Sequence, residues 1–202
     1  MRREIILVDA HLGNLDSVER ALVHVGATVV KSSDPDRIAA ARALVFPGQS
    51  AFSARTDALV EGALGAAIRM VIERGDPFLG ICLGMQLLFD RSEEDGGHPG
   101  LGVLPGVVRR LPADQRVDGR PLKVPHIGWS DVQPTGEHFY FAHSYYAVPE
   151  QPDDLMWTAR YGQLELAAAV RRGSVYGAQF HPEKSQLAGL RFLRSFILGG
   201  RA

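Results

Sequence analysis

Residues 77–89 read Pro-Phe-Leu-Gly-Ile-Cys-Leu-Gly-Met-Gln-Leu-Leu-Phe, an uncharged, largely apolar run whose cysteine stands between two glycines. The run reads as a buried strand that passes through residues 80–84 into a helix, with Cys82 on the elbow. At so sharp a corner the backbone passes too close for a Cβ two residues before or after it, and Gly80 and Gly84 supply that absence. The start of a helix offers unpaired N–H groups and the positive end of the macrodipole, a setting that suits a thiolate nucleophile. The competing reading is a small buried hydrophobe between glycines.

Strands and helices alternate around this elbow. Residues 4–9 form a strand-like run, after which Leu15, Val18, Leu22 and Val25 recur at helical spacing until Gly26. A second strand is expected at 28–31 and a third at 43–46, ending in Pro47-Gly48. A long helix is expected over 56–74, stopped by Gly75 and Pro77. Alternation of this kind implies parallel strands joined by right-handed crossovers, with sites at the C-terminal strand ends. Residues 47–50 and Cys82 both fall there.

The second half changes character. Residues 95–106 read as loop, and strands are expected at 123–124, 139–141, 155–161, 166–171 and 175–180, with a hairpin turn at Arg172-Gly173-Ser174. Leu187, Leu190, Leu193, Phe196 and Ile197 then mark a closing amphipathic helix. The fold class is therefore α/β: a mixed, largely parallel central sheet flanked by helices, with additional antiparallel strands in the second half. Its 202 residues suffice for one domain with a sizeable core, over 1–202.

A cysteine nucleophile needs a base, and among seven histidines His181 stands out. It follows the strand at 175–180 and precedes Pro182-Glu183. In extended backbone positions 181 and 183 point the same way, so Glu183 can orient the ring while its other nitrogen faces Cys82. His-x-Glu also occurs in zinc deaminases, but those sites need further cysteine ligands and this chain has one cysteine. Neither a metal site nor a cofactor is expected.

Composition narrows the function classes. A net charge of −1 and a pI near 6.7 give no basic footprint for nucleic acid and no polybasic segment for a membrane surface. One cysteine forms no intrachain disulfide, which suits a reducing, cytoplasmic setting. The apolar stretch at 5–8 is too short for a signal peptide, and no segment approaches transmembrane length.

The elbow at 80–86, His181-Pro182-Glu183 and the strand-end Pro47-Gly48 resemble class I (triad) glutamine amidotransferases. More narrowly, Gly13-Asn14-Leu15, Gly100-Leu101-Gly102, residues 124–129 (Val-Pro-His-Ile-Gly-Trp), His143-Ser144-Tyr145-Tyr146 and residues 179–185 resemble the family of glutaminase subunits of imidazole glycerol phosphate synthase, over nearly the whole chain. The resemblance implies L-glutamine as substrate, a triad of Cys82, His181 and Glu183, and an oxyanion held by the backbone N–H groups of Gln49 and Leu83. It implies glutamine binding near Gly48, Gln86, Ser144 and Tyr145. It also implies a heterodimer with a (β/α)8-barrel cyclase that receives the ammonia, with Asn14, His126, Trp129, Tyr140 and Lys184 on or near the interface.

Two segments depart from the family pattern. Asp9-Ala10-His11 stands where aspartate-tyrosine-glycine is usual, and Pro47-Gly48-Gln49-Ser50 stands where proline-glycine-valine-glycine is usual. The second falls on the oxyanion loop, so resting geometry and basal activity do not carry over from the resemblance. Two other readings stay open: the glutaminase of another synthase, such as anthranilate or pyridoxal phosphate synthase, and a catalytically silent amidotransferase-like binding module.

Overall fold

The computed structural model describes residues 3–12, 15–52, 54–114, 116–117 and 120–199. The first half alternates as expected: β1 (Glu4–Val8), α1 (Leu15–His24), β2 (Thr28–Ser32), α2 (Pro35–Ala39), β3 (Leu44–Gly48), α3 (Ala54–Glu61), α4 (Ala63–Glu73) and β4 (Phe78–Cys82). The strands β2, β1, β3 and β4 lie side by side and parallel. Apolar residues fill their centres, and Ile5 to Val8, Leu44 to Phe46, and Phe78, Leu79 and Ile81 are at most 4% exposed, as strands covered by helices on both faces require. Helix α1 turns Val18, Ala21 and Leu22 inward and stops before Gly26, whose φ of 101° is the left-handed geometry of a C-terminal stop.

The single helix expected over 56–74 is two helices. Gly62 sits between them in extended backbone (φ −86°, ψ −173°), where a Cβ would lie 2.5 Å from the Ala58 carbonyl oxygen. A glycine that must let the chain pass this close breaks the helix even though the apolar spacing continues across it.

The second half comprises α5 (Leu83–Gln86), β5 (Phe89–Ser92), β6 (His98–Pro99), β7 (Leu104–Arg110), β8 (Arg116–Val117), β9 (Arg120–Pro121), β10 (His126–Gln133), β11 (Glu137–His143), β12 (Tyr145–Pro149), β13 (Leu155–Tyr161), β14 (Leu164–Arg172), β15 (Val175–Ala178) and α6 (Gln186–Ile197). Among the described residues one sheet has nine strands in the order β11-β10-β13-β14-β15-β4-β3-β1-β2 and a second has four, β12-β7-β5-β6. The expected strand at 123–124 is absent, and the segment expected as loop over 95–106 carries β6 and the start of β7. Gly100 is one reason, because a Cβ there would lie 1.9 Å from the Phe89 carbonyl oxygen, so the glycine serves sheet packing.

Strand β15 is the hinge of the architecture: it runs parallel to β4 and antiparallel to β14. Ala178 pairs with Ile81 across one edge of β4, and Gly48 pairs with Cys82 across the other. Three strand ends therefore deliver residues 48–50, Cys82 and residues 179–181 to one place, the C-terminal edge of the parallel sheet.

Candidate active site

Cys82 occupies the elbow with φ 55° and ψ −109°, a strained conformation for a residue with a Cβ. Its glycine neighbours make the corner possible, since a Cβ at Gly84 would lie 1.9 Å from the Phe46 carbonyl oxygen and one at Gly80 2.3 Å from that of Gly84. The helix beyond is a single turn. It ends because the Leu87 and Leu88 carbonyls accept hydrogen bonds from Leu101 N (2.6 Å) and Leu104 N (2.9 Å), drawing the chain out into β5. So short a helix has little macrodipole, and support for the sulfur must come from side chains.

His181 supplies part of that support. Its Nδ1 lies 2.9 Å from Glu183 Oε1, the two side chains are 3% and 0% exposed, and the ring is near enough to Cys82 to feel its charge. Their approach differs from the expected one. Strand β15 ends at Ala178, and Pro182–Lys184 is a 3-10 turn, so a turn and not an extended strand folds Glu183 back onto the ring. Burial disfavours the imidazolium, but hydrogen bonds and charge from Cys82 and Glu183 outweigh it and raise His181 to about 9.

The elbow opens into a cavity of about 230 Å³ whose lining includes Cys82, Gln86, Ser144 and Tyr145, together with Gln49 and Ser50. Gly48 lies beneath, where a Cβ would meet Leu83 Cβ at 2.8 Å. Gln86 is 5% exposed, and its Nε2 donates to the Tyr145 carbonyl (2.9 Å) and to Gln179 Oε1 (3.0 Å). Gln179 Nε2 in turn donates to Cys82 Sγ at 3.7 Å.

The cavity also holds two groups that the sequence reading missed. Glu94 is buried in its wall and accepts the Phe52 N–H at 2.9 Å; burial raises its pKa, against the pull of that N–H. In sequence it sits in the acidic run Glu93-Glu94-Asp95, which looks like solvated loop. His143 is the other. Its Nδ1 meets the Tyr145 carbonyl at 2.8 Å, so it carries the proton there, and Nε2 accepts from His126 Nδ1 at 3.1 Å. Burial lowers His126 to about 4 and, aided by the neighbouring His126, His143 to about 3.

One expected donor points elsewhere. The Gln49 N–H donates to the Leu12 carbonyl at 2.7 Å and is thereby turned from the cavity. Leu83 heads the one-turn helix beside the sulfur, at the position expected of the second oxyanion donor.

Next to His181 lies an aromatic surface. The His181 N–H donates to the Tyr140 carbonyl at 2.8 Å, the Tyr140 ring meets Trp129 edge-on at 5.9 Å, and Lys184 Nζ stands 5.8 Å from its centroid. Trp129 is 46% and Ile127 63% exposed. His126 lies beneath this surface and not on it, 2% exposed and stacked 3.9 Å from the Tyr161 ring. Asn14 lies outside the described residues. Among the described residues no helix is long and apolar enough to cross a membrane, and no cluster of three His, Cys, Asp or Glu could hold a metal.

Comparison with known proteins gives a consistent result. The family model for class-I glutamine amidotransferases matches residues 6–198. The imidazole glycerol phosphate synthase subunit HisH of Moorella thermoacetica is 46% identical over 96% of this chain and 94% of its own length. That of Syntrophotalea carbinolica is 46% identical over 95% and 98%. Among solved structures, a glutamine amidotransferase superposes with a TM-score of 0.69 at 24% identity, covering 96% of this chain and 98% of the other. PurLQS from Thermotoga maritima gives 0.70 at 19% identity, covering 98% of each.

Proposed function

The chain belongs to the class-I glutamine amidotransferase family, and we propose that it is the glutaminase subunit of an imidazole glycerol phosphate synthase, serving histidine biosynthesis. The observation that carries the reading is the convergence of Cys82, His181 and Glu183 at the edge of a cavity, with the cysteine forced into positive φ between two glycines that tolerate no Cβ.

In the proposed reaction the Cys82 thiolate attacks the carboxamide carbon of L-glutamine, and the carbonyl π pair moves onto oxygen. The Leu83 N–H, joined by that of Gln49 once its peptide has turned, stabilises the oxyanion. His181 gives its proton to the departing nitrogen as the C–N bond breaks, leaving a glutamyl thioester and ammonia. The same imidazole then takes a proton from water, whose oxygen attacks the thioester; glutamate leaves and the thiolate returns. Glu183 holds the tautomer and stabilises the imidazolium. Gln86, Ser144 and Tyr145 bind the substrate over Gly48, and the Glu94 carboxylate is suited to its α-ammonium group.

Ammonia made here goes to a (β/α)8-barrel cyclase docked on the surface around Trp129, Tyr140 and Lys184. Exposed Trp129 and Ile127 beside a buried catalytic histidine support that placement, because apolar groups left in water mark a surface meant to be covered. The test is a glutaminase assay of this chain alone, with a cyclase, and with cyclase plus its nucleotide ligand. Hydrolysis that rises on adding the cyclase is the expected result, whereas a Cys82 that stays unlabelled by a glutamine-mimicking electrophile under all three conditions would overturn the reading.

A further inference from the structure

We infer that Gln179 is a positioning residue for Cys82: it presents an N–H, and not a carbonyl oxygen, to the sulfur, in an orientation dictated by the backbone carbonyl of Tyr145 two links away. The inference rests on the reading of Cys82 as nucleophile.

The direction follows from what each group can give. A backbone carbonyl only accepts, and that of Tyr145 faces both His143 Nδ1 (2.8 Å) and Gln86 Nε2 (2.9 Å), so Gln86 must turn its amide nitrogen toward it. The second N–H of that nitrogen meets Gln179 at 3.0 Å, where it requires an oxygen. Gln179 therefore has its NH2 left for the other side, 3.7 Å from Cys82 Sγ. Reversing the Gln179 amide would set N–H against N–H at one end and oxygen against a thiolate at the other. At 0% exposure Gln179 has no access to bulk water that could relieve either clash.

An amide donor differs from the imidazolium in that it does not titrate. His181 must lose its proton to the leaving ammonia, and Gln179 continues to face the sulfur through that step. The other charged and titratable groups around Cys82 are His181 and Glu183 in the turn after β15, Glu94 in the turn after β5, His143 at the end of β11 and Tyr145 at the start of β12. None of them is altered by substituting Gln179, so a change in the ionisation behaviour of the sulfur would report the lost donor.

Because the chain has one cysteine, alkylation by iodoacetamide reads Cys82 alone. In the full chain the pH of half-maximal alkylation rate should rise by about one unit in Gln179→Met, a roughly tenfold slowing below the midpoint, as expected for losing a hydrogen bond to a charged acceptor. Gln179→Glu, equal in size but lacking the donor, should shift it at least as far. Gln86→Met, which leaves Gln179 in place but frees its amide to turn, should shift it the same way by less, and it decides the matter if Gln179→Met does not fold. An unmoved midpoint in every folded variant overturns the inference, as does a shift confined to Gln179→Glu, which would mean that the sulfur senses charge and not a donor. Glutamine hydrolysis is followed in parallel. A shifted midpoint in a chain that never hydrolyses glutamine supports the positioning role and sinks the glutaminase reading, while an active chain with an unmoved midpoint does the reverse.

Discussion

The two sides of Cys82 differ in readiness. On the β15 side His181, Glu183 and Gln179 already bear on the sulfur, held by a strand end and a 3-10 turn packed on α6. On the β3 side the Gln49 N–H is taken by the Leu12 carbonyl, a contact between two loops. The difference teaches where regulation can act. In the proposed mechanism, proton transfer is fixed by rigid elements, whereas charge stabilisation waits on one peptide whose alternative orientation costs little beyond a single hydrogen bond.

The contrast disappears if its centre is removed. Cys82→Ala should abolish glutamine hydrolysis while the complex with a cyclase still uses ammonium salts, because the triad only makes ammonia. Glutamine-dependent activity in a sequence-verified Cys82→Ala protein would end the thioester mechanism.

Breaking the assembled side comes next. His181→Ala should cost about 10²-fold to 10⁴-fold in kcat and exceed the loss in Glu183→Gln, since one residue moves the proton and the other orients it. His143→Ala is the control. That ring is also buried, and burial with the neighbouring His126 lowers it to about 3, whereas Cys82 and Glu183 raise His181 to about 9 against its burial. If His143→Ala inactivated the enzyme and His181→Ala did not, the base would be misassigned.

The assembled side is also the part that sequence revealed. Gly80, Gly84 and the Pro182-Glu183 pair are local signals, because sterics at a corner and a turn of three residues depend on near neighbours. Strand β10 gave no such signal: its Ile127 and Trp129 face outward, so the apolar pattern reports a surface to be covered and not the core. The helix after Cys82 was legible but its one-turn length was not, since Met85, Leu87, Leu88 and Phe89 are all 0% exposed and an apolar run without a polar face fits helix or strand. Glu94 and Gln179 escaped because their roles arise from partners 42 and 97 residues away.

The unassembled side can be sharpened by adding the partner. An oxyanion donor aimed correctly is worth about 3 kcal/mol, so a cyclase that turns the Gln49 N–H inward should raise kcat roughly a hundredfold or more. Full activity of the chain alone would count against a gate at this peptide.

A smaller effect separates the histidine environments by pH. His181 holds its proton more tightly folded than unfolded, so the stability it contributes is full below about pH 6.5 and is lost as pH rises toward about 9. His126 and His143 hold theirs less tightly folded, and the stability tied to their neutral forms, full above about 6.5, falls as pH drops toward about 4. Urea midpoints should therefore peak near neutrality and fall on both the alkaline and the acid limb. Glu183→Gln should flatten the alkaline limb alone and His143→Asn the acid limb alone; equal flattening of both limbs by either change would contradict the assignment.

The smallest expected effect lies in the residue that departs from the family pattern on the unready side. Turning the peptide between Gly48 and Gln49 changes ψ of the first and φ of the second, and the chain must compensate at Ser50. Ser50 is not among the left-handed residues in the resting structure, so its Cβ favours the orientation in which Gln49 bonds Leu12. A residue with a Cβ pays about 1 kcal/mol or more to enter left-handed space, and glycine enters it freely. Ser50→Gly should thus populate the inward N–H without help, raising the basal kcat of the isolated chain about fivefold while leaving the partner-bound kcat nearly unchanged. The ratio of stimulated to basal activity falls accordingly, and the affinity for the cyclase, set by the proposed interface around Trp129, stays nearly constant. Measuring kcat with and without cyclase for both proteins decides it: a ratio that stays the same or grows would show that Ser50 does not hold the peptide in its resting orientation.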